Sequence, residues 1–482
     1  MIVLFRRDLR LADNPALYDA RHGQVIPLYV FDDSLTPLNH PTASDWWLMQ
    51  SLSALSSAFN DLGVSLILRR GPYARTIADL ASSIGVDYVA WNEGIFPGEK
   101  AQDEALKHLL LKRGIHYRIY PANYLTPFQE VMTQQKTPYH LFTPFFSQIR
   151  SLLREQGIPP LVPAPTALRG FGVIPSERLA SWHEEMAQAV SPQLVSYWKP
   201  GEIAQQKIWH AFVAHGLEQY HDSRDIYQPK NSSHLSAALH FGEISIRQIL
   251  HDLAELYPLF RADQEIPAGV EHFFRELIWR EFSAYLLYHF PFLTDVPADN
   301  DFTAFPWRHA TKTLKAWQEG ETGYPIVDAG MRQLKTMGFI PNRIRMIVAS
   351  FLVKDLLISW TEGAKWFLDH LVDADLANNS VSWQWISGTG FDHAPFFRIL
   401  NPITQSHKFD PNGQYIKSWL PELANLPLSL LHAPWQAPGD VLESFGVYLG
   451  ENYPHRIVRH DQARTRALKA YNALKNSSST SP

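Results

Sequence analysis

Through the first 125 residues, short runs of β-branched and aromatic residues alternate with stretches of helical periodicity. The runs are IVLF (2–5), VIPLYVF (25–31), VSLILR (64–69), DYVAW (87–91) and HYRIY (116–120). Helical spacing fills Ala43–Leu62, Tyr73–Ile84 and Glu99–Lys112. This alternation predicts an α/β domain with five parallel strands and right-handed crossovers. Sheets of that kind take ligands beyond the carboxyl ends of their strands, which directs attention to Arg6–Arg10, Asp32–Asp33 and Asn92–Glu99. No GxGxxG follows the first strand, so the dinucleotide fingerprint is absent.

The pattern then changes. Pro159, Pro160, Pro163 and Pro165 crowd the approach to Gly170, and Pro175, Pro192 and Pro200 follow. Apolar residues persist among them, so 126–205 reads as an ordered interdomain connector and not a free linker. From 206 to 475 the spacing is helical almost throughout, and 476–482 (NSSSTSP) reads as a disordered polar tail. No internal repeat is visible.

Composition narrows the class without assigning it. At 482 residues the chain is too long for one core. It holds no Cys, which excludes disulfides, iron–sulfur clusters and thiolate zinc, and which fits a cytoplasmic protein. Met1 leads straight into a strand and Arg6-Arg7, leaving no room for a secretory signal. No apolar run approaches the roughly 18 residues of a membrane span. The net charge of −5 gives no global nucleic-acid signature, so any such contact needs a locally basic face. Fifteen Trp is more than stability requires, and offers stacking surfaces or redox roles.

Several constellations carry chemistry. Arg6–Arg10 is a charge knot after a buried strand, equally readable as an interdomain salt-bridge cluster or a ligand site. Tyr220–Asp225 and Asn231–Ser236 form hydroxyl-rich turns before a helix that opens near Leu235. Such turns cap helices or receive phosphate; Arg224 contacts phosphate or pairs with Asp225. On the helix of Glu271–Tyr288, Glu276, Trp279 and Arg280 share one face. An acceptor, a stacking plane and a charged donor make a base-reading wall, or else a surface salt bridge with Trp279 packed beneath. Asn342, Arg345 and Met346 share another face, with Asp373 or Asp375 as a partner for Arg345. In the segment Asp373–Trp385, Trp383 and Trp385 stand two apart. On a helix such residues diverge by about 200°, so the two indoles serve different surroundings. Buried polar and aromatic residues concentrated around Asn379 point to a pocket for a large, polar, aromatic cofactor.

FRRDLRLADNPAL near the amino terminus, ELIWREF (276–282), TGYPIVDAGMRQL (322–334), NRIRMIVASFLVKDLLISW (342–360), DADLANNSVSWQW (373–385) and FFRILNP (396–402) together resemble the photolyase/cryptochrome family. The likeness is nearest to class I cyclobutane pyrimidine dimer photolyases and runs essentially from Met1 to the end of the helical half. It implies an α/β antenna-type domain over 1–125 with a five-stranded, Rossmann-like parallel sheet. A connector over 126–205 and a large all-α FAD-binding domain over 206–475 complete the expected organisation. The implied activity is light-driven repair of pyrimidine dimers in DNA, by electron transfer from excited reduced FAD to a flipped-out dimer. One FAD per chain, damaged DNA as partner, no membrane, no obligate protein partner and a monomer belong to the same expectation.

Carried over by matching position, Tyr220, Ser232, Ser233, His234, Leu235, Ser236, Arg280, Arg345, Asp373, Ala374 and Asp375 are FAD contacts. Asn379 stands beside flavin N5. Glu276, Trp279, Asn342, Arg343, Met346 and Trp385 line the dimer pocket, and Arg224 and Gln405 contact DNA. Trp383, Trp360 and Trp307 form the chain that photoreduces the flavin. The resemblance also implies an antenna chromophore of folate or deazaflavin type, with Glu99 as its contact. Gly98 stands where folate-binding members carry Asn, so another flavin, or no antenna, stays open.

Departures from the family pattern refine this. Phe339 and Pro341 replace the Trp and His of many relatives, which argues against repair of (6-4) photoproducts. Phe273 stands where some members carry Trp. The alternative function is a cryptochrome-like blue-light photoreceptor signalling through protein partners. Members of that kind tend to alter the dimer-pocket residues and carry long tails, whereas those residues are present here and the tail is short. A flavin redox enzyme without light chemistry leaves the Trp chain unexplained.

Overall fold

A computed structural model describes residues 1–32, 41–121, 123–180, 182, 190–226, 232–259 and 265–478. Asp33 and Asn231, named above, lie outside them. Five strands form: β1 (Ile2–Phe5), β2 (Gln24–Phe31), β3 (Ile67–Arg70), β4 (Tyr88–Asn92) and β5 (His116–Tyr120). They pair in parallel in the order β3-β2-β1-β4-β5. β1 is central, with Ile2 opposite both Ile26 and Val89. A strand paired on both edges and covered on both faces has no side to offer water. That is why IVLF is continuously apolar, and all four of its residues are buried. A two-residue strand, Arg169–Gly170, joins beside the start of β2.

The crossover helices are α1 (Pro15–Ala20), α2 (Ala43–Asp61), α3 (Tyr73–Ser83) and α4 (Pro97–Lys112). α1 is too short to show periodicity, but Asn14 caps it and Pro15 opens it. α2 starts at a capping box in which Thr42 and Asp45 satisfy each other's backbone amides. β3 begins later than VSLILR suggests because the Val64 amide bonds the Phe59 carbonyl at 3.1 Å, closing the end of α2.

By internal contact the chain falls into two units. The first contains 1–221, 232–291 and 372–377; the second contains 222–231, 292–371 and 378–482. Within the first unit, polar side chains after β1 join the sheet to helices far along the chain. Arg10, almost fully buried, donates to the carbonyls of Asp13 (2.9 Å) and Gly242 (2.9 Å). Asp13 accepts from Ser245 Oγ (2.6 Å) and Arg247 Nε (2.9 Å). Gly242 has φ +66°, and a Cβ there would overlap the Arg7 carbonyl. The helices from Ser236 to His289 are thereby bonded to the sheet. The connector contributes α5 (Phe142–Gln156) to this same unit.

The second unit is helical. Its longer helices are Pro325–Met337, Asn342–Ser350, Trp360–His370 and His460–Ser478, the second continuing as a π-helical turn over Phe351–Asp355. The last helix takes in 476–478, so the tail expected from Asn476 does not begin there; 479–482 lie outside the described residues. Asp328 shows what one motif of the family likeness does structurally. Fully buried, it accepts from the Thr322 amide (2.7 Å), the Gly323 amide (2.9 Å) and Tyr453 Oη (2.8 Å). Burial outweighs these bonds and pushes its carboxyl up to about 6. No helix among the described residues is long and apolar enough to cross a membrane.

Candidate functional site

In the first unit the helix Ala268–His289 carries Glu276, Trp279 and Arg280 on one face, and all three are half-buried. Its opposite face supplies Phe274, Leu277, Ile278 and Phe282 to the core. Arg280 donates to the carbonyls of Leu239 (3.0 Å) and Asn123 (3.4 Å) and lies over the Tyr124 ring. These bonds fix the guanidinium plane from two other elements.

The hydroxyl-rich turn leads into a short helix, Ser236–Phe241, with the Leu235 amide 3.4 Å from Ser233 Oγ. Ser232, Ser233 and His234 are half-buried and Ser236 is exposed. Tyr220 packs edge-on against Phe273 at 5.6 Å. Asp373 and Asp375 are buried, with Ala374 half-buried between them. Asp375 Oδ2 accepts from His240 Nδ1 at 3.1 Å, and Arg7 Nη1 stands 3.5 Å from the same ring nitrogen. Burial, and then Arg7, lower the pKa of His240 more than Asp375 raises it. The imidazole is therefore neutral at pH 7 and serves as a donor that orients the carboxylate. Reasoning from sequence missed His240, because a lone His on an apolar helix reads as core.

The strand-end candidates resolve differently. Arg6 pairs with Asp103 at 2.8 Å and Arg7 with Glu99 at 2.9 Å. Glu99 also accepts from the Ile95 and Phe96 amides at the start of α4. Of the readings open for the Arg6–Arg10 knot, the geometry is that of a closed salt-bridge cluster.

In the second unit, Asn342, Arg343, Arg345 and Met346 occupy the first turns of their helix, Asn342 exposed and the others half-buried. Pro341 caps that helix from outside, where its missing N–H costs nothing. Arg343 pairs with Asp225. Arg345 Nε donates to the Ile340 carbonyl at 2.9 Å. Arg224 and Gln405 are half-buried.

Asn379 is buried, and its Nδ2 donates to the Ala364 carbonyl at 2.9 Å. That bond turns the amide so that Oδ1 is the end left to accept a donor. Trp383 is buried and Trp385 half-buried, as their divergence on a helix predicts. Gln384, between them, bonds the Leu293 and Val296 carbonyls and the Ala298 amide, each at 2.9 Å, and so locks the rotation of both. Trp383 lies against Phe367 (5.0 Å) and Trp317 (6.3 Å), and its rim touches Gly363, where any Cβ would overlap it. Trp360 is buried and Trp307 half-buried against Phe305. Among the described residues no group of His, Asp or Glu is placed to hold a metal.

Buried acids in the first unit, and an oriented amide and a partly exposed indole in the second, are compatible with more than one chemistry. The model described as "FAD binding domain of DNA photolyase" matches residues 273–473, and "DNA photolyase" matches residues 1–166. The chain belongs to the DNA photolyase family, which includes the cryptochromes. It is 42% identical to a deoxyribodipyrimidine photo-lyase of Agrobacterium fabrum over 98% of each chain. It is 36% identical to cryptochrome-1 of Arabidopsis thaliana, over 98% of this chain and 70% of that one. A crystal structure of a class III photolyase from Agrobacterium tumefaciens superposes with a TM-score of 0.91 at 42% identity, covering 98% of this chain and 97% of that one. The class III description differs from the class I likeness read in the sequence.

Proposed function

We propose that this protein repairs cyclobutane pyrimidine dimers in DNA under light, with FAD as its cofactor. The observation that carries the reading is on one helix. Glu276 and Trp279 are partly exposed side by side on it, so a carboxylate and part of an indole reach the surface together. The likeness to a deoxyribodipyrimidine photo-lyase at 42% identity supports a pyrimidine dimer as the substrate.

The residues fit the cofactor. Flavin N5, when it carries hydrogen, needs an acceptor, and the oriented Oδ1 of Asn379 is one. Asp373, Asp375 and the fixed Arg280 supply charge and acceptors for the polar parts, and Ser232, Ser233 and Ser236 supply hydroxyls for the phosphates. When bound and reduced, FAD supplies the light-excited electron. The chain's own share is positional: His240 orients Asp375, Ala364 orients Asn379, and the buried surroundings of Trp383 exclude water. Trp383 and Trp360, both buried, and Trp307, partly exposed, carry reducing equivalents inward from the surface. Asn342, Arg343, Met346 and Trp385 complete the lesion contacts, and Arg224 and Gln405 hold the backbone. For a second, light-gathering chromophore, the shallow open cleft beyond β4 and β5, lined by Glu93, Tyr124, Phe128 and Tyr288, is one candidate surface in the first unit.

The test is to reduce the flavin of the purified protein and illuminate it with dimer-containing DNA at blue or near-ultraviolet wavelengths. Loss of dimers is expected. Unchanged dimers with FAD bound would overturn the repair reading and favour the light-sensing role suggested by the cryptochrome likeness.

A further inference from the structure

Trp279 does not stand alone on its helix. Phe142, the first residue of α5, lies face to face with its indole: the ring centroids are 3.7 Å apart and the planes differ by 5°. Most aromatic pairs in this unit are tilted or edge-on, the usual preference of ring quadrupoles. A close parallel stack is therefore a geometry imposed by the surrounding packing.

That packing can be traced. Phe142 is 2% exposed, and its ring meets Phe282 edge-on at 5.9 Å and Phe146 at 5.6 Å. Phe282 in turn meets Trp279 edge-on at 5.8 Å, so Phe142, Trp279 and Phe282 brace one another in a triangle. The Arg275 guanidinium sits 4.7 Å from the Phe146 ring and 5.2 Å from that of Phe142, adding a cation to the same stack. α5 is held from outside the stack as well, since Arg150, about two turns further along, pairs with Glu271 at 2.9 Å and ties α5 to the helix that bears Trp279.

We infer that Phe142 is a positioning residue for lesion recognition: it fixes the plane of Trp279 before DNA arrives, leaving the half-buried remainder of the indole to meet the extruded base. The inference rests on the proposed role of Trp279 at the dimer. A freely rotating indole would lose its side-chain freedom on binding, whereas one already stacked has lost it on folding. The contribution of Phe142 is thus to affinity for damaged DNA, through Trp279 alone.

The test uses the FAD-loaded full chain in the dark and a duplex oligonucleotide with a single thymine–thymine cyclobutane dimer. Four proteins complete a cycle: wild type, Phe142→Met, Trp279→Ala and the double variant. Met keeps volume without a ring plane; Phe142→Tyr restores the ring and serves as the conservative control. Phe142→Met is expected to weaken dimer binding about two- to tenfold, to leave binding of the undamaged duplex unchanged, and to reduce the near-ultraviolet circular dichroism of the free protein. Phe142→Tyr should bind as wild type, and Phe142→Met should cost nothing further once Trp279 is Ala. Equal losses from Phe142→Met with and without Trp279, or unchanged affinity in Phe142→Met, overturn the inference while Trp279→Ala, still impaired, upholds the lesion pocket. Wild-type affinity in Trp279→Ala overturns both.

Discussion

The carboxyl end of the parallel sheet and the helix around Asn379 hold equally dense polar sequence, yet their hydrogen bonds are spent in different ways. Beyond β1, Arg6, Arg7, Arg10 and Asp13 are committed to Asp103, Glu99, the Gly242 carbonyl and Arg247. Donors and acceptors there close on one another. Asn379 instead spends its NH₂ on Ala364 and keeps its oxygen, while Glu276, Trp279 and Trp385 retain part of their surface. Counting where each polar atom is satisfied separates a structural knot from a binding surface more surely than charge density does.

Breaking the closed region should cost the most. Asp13→Ala leaves Arg247 buried beside Arg10 without its carboxylate, and a loss of about 3–5 kcal/mol in unfolding free energy is expected. A denaturant titration measures it; a change below about 1 kcal/mol would show that the knot is not what holds the sheet to its helices. The open region should behave in the opposite sense. Trp385→Ala is expected to weaken dimer binding or repair by about 1–3 kcal/mol with FAD content and unfolding midpoint little changed. Parallel loss of FAD would mean that Trp385 supports the fold.

A third test sharpens the contrast through pH. Glu281, fully buried in the first unit, accepts from the Leu125 amide at 2.7 Å, and burial pushes its carboxyl up to about 7. Between the ordinary glutamate value and about 7, the folded chain keeps a proton that the unfolded chain has released. Stability from this group is therefore present at the acid side and is lost as pH rises through that window. Glu281→Gln should flatten the fall by on the order of 1–2 kcal/mol, measured as unfolding midpoints from pH 5 to 8; an unaltered slope counts against the assignment. The smallest effect in free-energy terms is expected from Trp360→Phe, which keeps a ring in the core. Photoreduction of oxidised flavin should slow, while repair by flavin already reduced continues. Photoreduction at the wild-type rate would remove Trp360 from the chain.

Legibility in the sequence followed the range of the interaction. The strands were readable because burial on both faces writes itself as uninterrupted apolar runs, and Glu276, Trp279 and Arg280 because a helix brings fourth neighbours together. The divergence of Trp383 from Trp385 followed from the same geometry. α1 escaped because six residues carry no period, although Asn14 and Pro15 marked its start. His240 and Phe142 escaped for a different reason: their partners, Asp375 and Trp279, are far along the chain, and no local pattern announces a contact between distant segments. The bonds from Ser245 and Arg247 to Asp13 were hidden in the same way.

Gly363 bears on how charge would move through the proposed relay. With no side chain there, the helix backbone itself forms the wall against Trp383, and Phe367 and Trp317 close other sides. A ring embedded in close-packed, largely apolar matter has few dipoles beside it that must turn when an electron leaves or arrives. In the proposed relay through Trp383 little reorganisation would accompany each transfer, and the absence of a side chain at Gly363 is what lets the backbone close that side of the ring.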